Sequence, residues 1–458
     1  MSVSVLPRAR SSRRPRASKL PFTGAELRHA CEPVLEGKLS EIVGLLIQAR
    51  GCRASIGDVY EIATDARPIE AEVVGLKDDR TLLMALGDAS SGLSVGARVH
   101  RVGRGARVPV GDALLGRVID GLGRPIDGKP TPRTFETMPL YGAPPPALSR
   151  RPIERALDVG VRAIDGMLTL GRGQRMGVFA GGGVGKSTLL SMMVKNAAVD
   201  VAVVALVGER GREVEELVRA TLGPAGLARS VVVAATSSEP PLLRARAALA
   251  ATAIAEHFRD RGKSVLLVMD SLTRYAMALR EIGLAAGEPA TTKGYTPSVL
   301  AALPRLLERA GTSTGPGSIT GLYTVLVEGD DLSDPIADAA RAILDGHIVL
   351  RRALAERGHF PAIDIPASIS RVMPAVTTRA RRDAAKRARA LLAAHREAED
   401  LVTIGAYRAG ASPKLDEALK RMPKLEAFLT QETDDAARGD IDAALARIWA
   451  DDDGRSVR

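Results

Sequence analysis

The sequence predicts an α/β core built on a parallel sheet, preceded by a small β-barrel and followed by a helical domain. Three observations carry this. From Asp158 onward, apolar strand-like runs at 175–180, 201–207, 231–235, 265–269 and 322–327 alternate with helical segments, notably 213–221, 242–261 and 296–310; that alternation is the mark of a parallel sheet. Upstream, residues 37–107 hold short β-like runs at roughly ten-residue spacing with Gly and Asp between them, which reads as a barrel. Downstream of Pro374, the charged, Ala-rich stretch 380–397 and the apolar spacing of Leu415, Ala418, Leu419, Leu425, Phe428 and Leu429 read as helices.

In chain order, the expected parts are a basic arm over 1–37, the barrel over 38–107, the α/β core over 108–374 and the helical domain over 375–458. The arm carries Arg8, Arg10, Arg13, Arg14, Arg16 and Lys19 with no acid through residue 20. Removing those six charges takes the net +10 down to +4 for the other 438 residues, so much of the basicity is local. An arm of this kind suits an anionic surface or partner. Aromatic content of 3% is poor for base stacking, and only Tyr60 is aromatic in 38–107; nucleic acid is therefore not an expected partner. In the barrel, 41–47, 58–62, 69–75 and 81–86 are the strand candidates. Residues 108–130, VPVGDALLGRVIDGLGRPIDGKP, are dense in Gly and Asp turns and read as an inter-domain connector. In the helical domain, Pro423 is expected to split 414–431 into two shorter helices.

Bulk composition sets further limits. A 458-residue chain suggests about two to four domains, and 45% apolar content is ample for their cores. The sequence has no run of 18 or more apolar residues of the kind a membrane-spanning helix needs. Two cysteines, Cys31 and Cys52, fit a reducing compartment. The six histidines show no metal-ligand spacing; His347 and His359 are expected to pack or cap.

The chemistry is concentrated in 174–197, QRMGVFAGGGVGKSTLLSMMVKNA. An apolar run stops at three glycines, Gly181, Gly182 and Gly183; Val184, Gly185, Lys186, Ser187 and Thr188 follow, and then an apolar helical segment. Strand, Gly-rich turn and helix in that order form a phosphate-binding P-loop. Glycines let successive backbone N–H groups curl around an anion, and the new helix points its positive end at the same place. Lys186 would reach the β- and γ-phosphates of a nucleoside triphosphate, and the Ser187 hydroxyl would hold Mg²⁺. The pattern expects Gly where Ala180 stands, but Ala180 can close the strand without a positive φ.

Two carboxylates end neighbouring apolar runs. Asp270, after 265–269, would reach Mg²⁺ or its water shell beside Ser187; the plainer role is a cap on the next helix. Glu209, in GERGREVEE, could polarise the water that attacks the γ-phosphate. It could equally be an acid at a helix N-terminus, and with Glu213, Glu215 and Glu216 close by, spacing does not choose.

The segments GERGREVEE, MDSLTRYAMALREIGLAAGEPATTKGYTPSV, EGDDLSDPIADAARAILDGHIVL and GHFPAIDIPASISRV together resemble the rotary-type hexameric ATPases of the ATP synthase alpha/beta family. Within that group they are most similar to the flagellar and type III protein-export ATPases, over about residues 38–430. The resemblance implies a RecA-like P-loop NTPase core with an N-terminal β-barrel and a C-terminal helical domain. Loops of export ATPases commonly begin with Ala, which suits Ala180. By position, Glu209 resembles the catalytic glutamate and Arg210 its neighbour. Arg371 matches the arginine finger that reaches a neighbouring subunit's γ-phosphate, and Phe360 the aromatic that packs on adenine. The bland alternatives are a surface arginine and a core phenylalanine.

The resemblance further implies Mg²⁺-dependent ATP hydrolysis by a homohexamer that energises protein export, releasing chaperones and unfolding cargo. The implied partners are a central stalk protein, a negative regulator, export chaperones with their cargo, and an export gate that brings a cytoplasmic ring to the inner membrane. Glu328–Gly329–Asp330–Asp331 would face the channel, or simply form a solvated turn. The alternatives are the catalytic subunit of a rotary ATP synthase, an RNA translocase of the termination-factor type and a non-catalytic nucleotide-binding module.

Overall fold

In the computed structural model, residues 36–65, 67–87, 92–327, 334–435 and 439–450 are described. Most of the basic arm, Cys31 and the Glu328–Asp331 acids lie outside them.

Strands β1 (Gly37–Val43), β2 (Leu46–Arg50), β3 (Val59–Ile62), β4 (Ile69–Lys77), β5 (Arg80–Ala85) and β6 (Arg98–Gly103) close a barrel in the order β1-β2-β5-β4-β3-β6, with β6 pairing back onto β1. Alternate side chains point inward: Tyr60 and Ile62 are buried beside half-buried Val59 and Glu61. They meet Leu39, Ile47, Val73, Leu83 and Val99 in the barrel core. The 41–47 run, expected to be one strand, is a hairpin. Val43 pairs with Leu46 across a two-residue turn, and Gly44 takes a φ of 57°. That left-handed conformation costs glycine little, so the turn overrides the apolar character of its flanks.

The 108–130 stretch is more than a connector. Arg107–Val110 pairs with Glu136–Pro139, and β7 (Arg117–Ile119) joins the central sheet as an edge strand. Arg117 grips Asp127 through two hydrogen bonds of 2.7 and 3.0 Å, which holds the intervening turn against that edge.

The central sheet further contains β8 (Arg175–Ala180), β9 (Val201–Glu209), β10 (Ser230–Thr236), β11 (Ser264–Asp270), β12 (Ser318–Leu326), β13 (Gly346–Val349) and β14 (Ile369–Ser370), in the order β14-β13-β8-β12-β11-β9-β10-β7. All pairings along that path are parallel except β13 with β14. Every residue of β9 is buried, as a strand covered on both faces requires. Because β8, β12, β11 and β9 are consecutive neighbours, Ala180, Asp270 and Glu209 end at one edge of the sheet, where ligands of such sheets bind.

Helices α1 (Lys186–Asn196), α2 (Gly211–Glu216), α3 (Pro241–Asp260), α4 (Leu272–Ala285) and α5 (Pro297–Leu307) cover the sheet. The helix expected at 213–221 is α2 continued by a π-helical segment, Leu217–Leu222. Beyond the sheet come α6 (Arg379–Glu397), α7 (Pro413–Leu429) and α8 (Ile441–Trp449). Pro423 does not split α7. Burial of Leu415, Ala418, Leu425, Phe428 and Leu429 on one face outweighs the single backbone bond that proline removes.

Candidate functional site

Strand β8 ends at buried Ala180, which has no positive φ, as expected from the sequence. In the loop that follows, Gly183 and Gly185 adopt φ of 77° and 83°, so these two glycines supply the left-handed geometry. Gly185 is also the N-cap of α1. Leu189 N–H donates to the Gly185 carbonyl at 3.0 Å. The amides before it are the donors that a helix N-terminus leaves open to an anion. Val184 is buried and anchors the loop, whereas Ser187 and Thr188 are exposed at its end.

Lys186 does not reach into solvent. Its Nζ lies 2.5 Å from Asp270 Oδ1 and 3.7 Å from Glu209 Oε1. Asp270 also accepts the Thr324 hydroxyl at 2.7 Å. It does not cap α4: Ser271 does, accepting from Arg274 N–H at 3.2 Å. The capping alternative for Asp270 therefore falls away, and its carboxylate faces Lys186.

Glu209 likewise sits at the end of its strand, not within a helix. The register of β9 against β10 shifts between Val207 and Glu209, and Gly208 there has a φ of 70°. Such a bulge re-aims the next side chain. The acid in the first turn of α2 is Glu213. Glu209 is 8% exposed and its Oε1 is buried with no hydrogen-bond partner. Burial first, then the charge of Asp270, pushes its carboxyl up to about 7, against the opposing pull of Lys186.

Lys186 and Glu209 open on a cavity of about 1050 Å³ lined also by Gly181, Gly182, Gly183, Gly185 and Thr188; its basic side chains are Lys186, Arg210, Arg274, Arg280, Lys293 and Arg352. Three acids, Glu209, Glu213 and Asp334, face them. The excess of positive charge fits a polyphosphate. Among the described residues no cluster of three or more His, Cys, Asp or Glu could hold a metal alone. The exposed Ser187 hydroxyl and the Asp270 carboxylate instead suit an ion that keeps most of its ligands as water and phosphate oxygens.

Sequence reasoning passed over four of the basic groups. Arg274 and Arg280 had a readable signal: with Thr273 and Met277 they form one stripe of the helix that starts beside Asp270. Lys293 and Arg352 are brought in only by tertiary folding, Arg352 donating to the Gly182 carbonyl at 3.4 Å.

Arg371 does not enter this cavity. It is exposed, and its guanidinium rests on the carbonyls of Leu344 and Arg341 at 3.4 and 3.5 Å. Phe360 is 45% exposed and flanks Gly185: a Cβ added there would meet its ring at 3.4 Å.

Residues 160–370 match a family model for the nucleotide-binding domain of the ATP synthase alpha/beta family, and residues 377–448 one for the T3SS EscN ATPase C-terminal domain. The flagellum-specific ATP synthase of Bacillus subtilis (strain 168) is 52% identical over 404 residues, covering 88% of this chain and 92% of that protein. The type 3 secretion system ATPase of Xanthomonas euvesicatoria is 52% identical over 400 residues, covering 87% and 90%. Among solved structures, the assembled ATPase EscN of the enteropathogenic E. coli type III secretion system superposes with a TM-score of 0.85 at 46% identity, covering 90% of this chain and 99% of that one. The same ATPase in complex with its central stalk EscO gives 0.82 at 46% identity, covering 90% and 98%.

Proposed function

Because the chain belongs to the ATP synthase alpha/beta family, in its flagellum-specific and type 3 secretion branch, we propose that it hydrolyses MgATP as a homohexameric ring driving protein export. The match of 377–448 to the EscN-type C-terminal domain favours export over ATP synthesis. The observation that carries the catalytic reading is the meeting of Lys186, Glu209 and Asp270 at the ends of three parallel strands beside the glycine loop.

Gly181 to Thr188 cradle the phosphates through backbone N–H groups, and Phe360 flanks the adenine. Mg²⁺, held by Ser187 and by Asp270 through its water shell, would neutralise charge on the β- and γ-phosphates. Lys186 exchanges its carboxylate partners for phosphate oxygens when nucleotide arrives. That exchange releases Glu209, which in its ionised form orients the attacking water and takes its proton. Arg210, on the residue after Glu209, neutralises charge on the departing phosphate. Arg371, outside its own chain's cavity, reaches the γ-phosphate of the adjacent subunit.

Such a ring works with a central stalk protein, as the assembled EscN is found in complex with its central stalk EscO. Chaperone–cargo complexes, a negative regulator and the export gate at the cytoplasmic face of the inner membrane complete the partner set. No helix among the described residues is long and apolar enough to cross a membrane. Measuring MgATP turnover per subunit against protein concentration tests the ring: turnover should rise steeply as rings form, and a flat profile through assembly would refute it.

A further inference from the structure

Between the barrel and helices α3, α4 and α5 lies a second cavity, of about 370 Å³, which shares no lining residue with the nucleotide cavity. Its walls are apolar: Val74 of β4, Leu242 and Leu249 of α3, Leu279 and Ile282 of α4, and Leu306 of α5. A volume of a few hundred Å³ at a domain junction, apolar with a few polar groups, is typical of a small-molecule site.

The polar groups here divide into those already paired and those left open. Glu72, 1% exposed, is satisfied by the Tyr141 hydroxyl at 2.7 Å and by Arg246. Arg309, also 1% exposed, is satisfied by Glu256 and the Leu140 carbonyl. Neither calls for a charged ligand. Tyr275 is 3% exposed, lines the cavity, and its hydroxyl has no partner among the described residues. Arg305 stands exposed at the mouth, paired with no carboxylate among the described residues. A buried phenol donor and an unpaired guanidinium around an apolar chamber are complementary to an apolar body with an anionic head. Glu288, which lines the same cavity, is the one group that would favour a cation, so head-group charge is the discriminating variable.

Helix α4 joins this chamber to the nucleotide cavity. Its Thr273, Arg274, Met277 and Arg280 line the nucleotide side, and its Tyr275, Leu279, Ile282 and Gly283 line the junction side. The helix begins two residues after Asp270. We propose that the junction cavity binds a small aliphatic or aromatic acid, and that its occupancy is transmitted to the nucleotide site through α4. A rigid helix with one face in each cavity cannot shift at one without moving groups at the other.

The test is calorimetric titration of the full chain with octanoate, with octylamine and octanol as matched controls. Octanoate should bind saturably and more tightly than either control, and R305A should weaken it about tenfold, the loss of one charge-assisted hydrogen bond. Ala302→Phe, which fills the chamber from α5, should abolish octanoate binding while a fluorescent ADP analogue still binds. Ala286→Phe serves the same purpose if the first variant does not fold. Octanoate should also change the affinity of the wild type for the ADP analogue, and not that of the filled variant. No saturable octanoate binding, tighter binding of octylamine, or undiminished binding by a folded filled variant would overturn the site. Binding without any change in nucleotide affinity would overturn the link through α4.

Discussion

The Lys186 ammonium lies 2.5 Å from Asp270 Oδ1 and 3.7 Å from Glu209 Oε1. The P-loop lysine is thus the counter-ion for two largely buried carboxylates. In the proposed mechanism the same cation that clamps these carboxylates must leave them to serve as the phosphate ligand, so the two roles exclude each other.

Lys186→Met should therefore do two kinds of damage. Turnover should vanish, and unfolding in denaturant should show a loss of about 3 kcal/mol, because two buried carboxylates lose their partner. Adding Asp270→Asn should recover part of the stability and none of the turnover. If the single variant were as stable as wild type, the clamp would not exist.

Glu209→Gln keeps the shape of the side chain and removes its basicity. The ADP-analogue affinity should stay within about threefold of wild type, while kcat falls by about 10²–10⁴. Normal turnover by this variant would transfer the base to another group, with Glu213 the next carboxylate in the cavity.

The pH dependence carries a sign. With its carboxyl pushed up to about 7 from an ordinary 4.5, Glu209 binds its proton more tightly in the folded chain than in the unfolded one. Its contribution to stability is full below the unfolded value and lost as pH rises through about 7. Its proposed role as the base runs the opposite way, so kcat/KM should climb through the same window. Denaturant midpoints measured from pH 5 to 8 should show that component flattened in Glu209→Gln.

Much of this site is legible in the sequence because its parts are contiguous. A strand, a glycine turn and a helix over 175–196 need no tertiary information, and apolar runs ending in Glu209 and Asp270 mark strand ends directly. What separates Asp270 from a helix cap is Ser271, one residue further on, which the structure shows capping in its place. Lys293 and Arg352 were not legible, since a short turn and the start of a short helix, both far along the chain, deliver them. In the fold, the Gly44 turn and the β7 edge strand were hidden, the first inside an apolar run and the second inside a turn-rich one. Pro423 misled for a different reason: local propensity argued for a break, and packing of the surrounding apolar face decided otherwise.

Completion of the site across a subunit boundary is tested most directly by subunit mixing. Arg371→Ala rings should lose about 10³–10⁵ in turnover. Mixing them with Glu209→Gln subunits, themselves strongly impaired, should raise turnover well above either alone, because some interfaces then pair an intact Glu209 with a neighbour's intact Arg371. Full turnover by Arg371→Ala alone, or no recovery in verified mixed rings, would contradict the shared site.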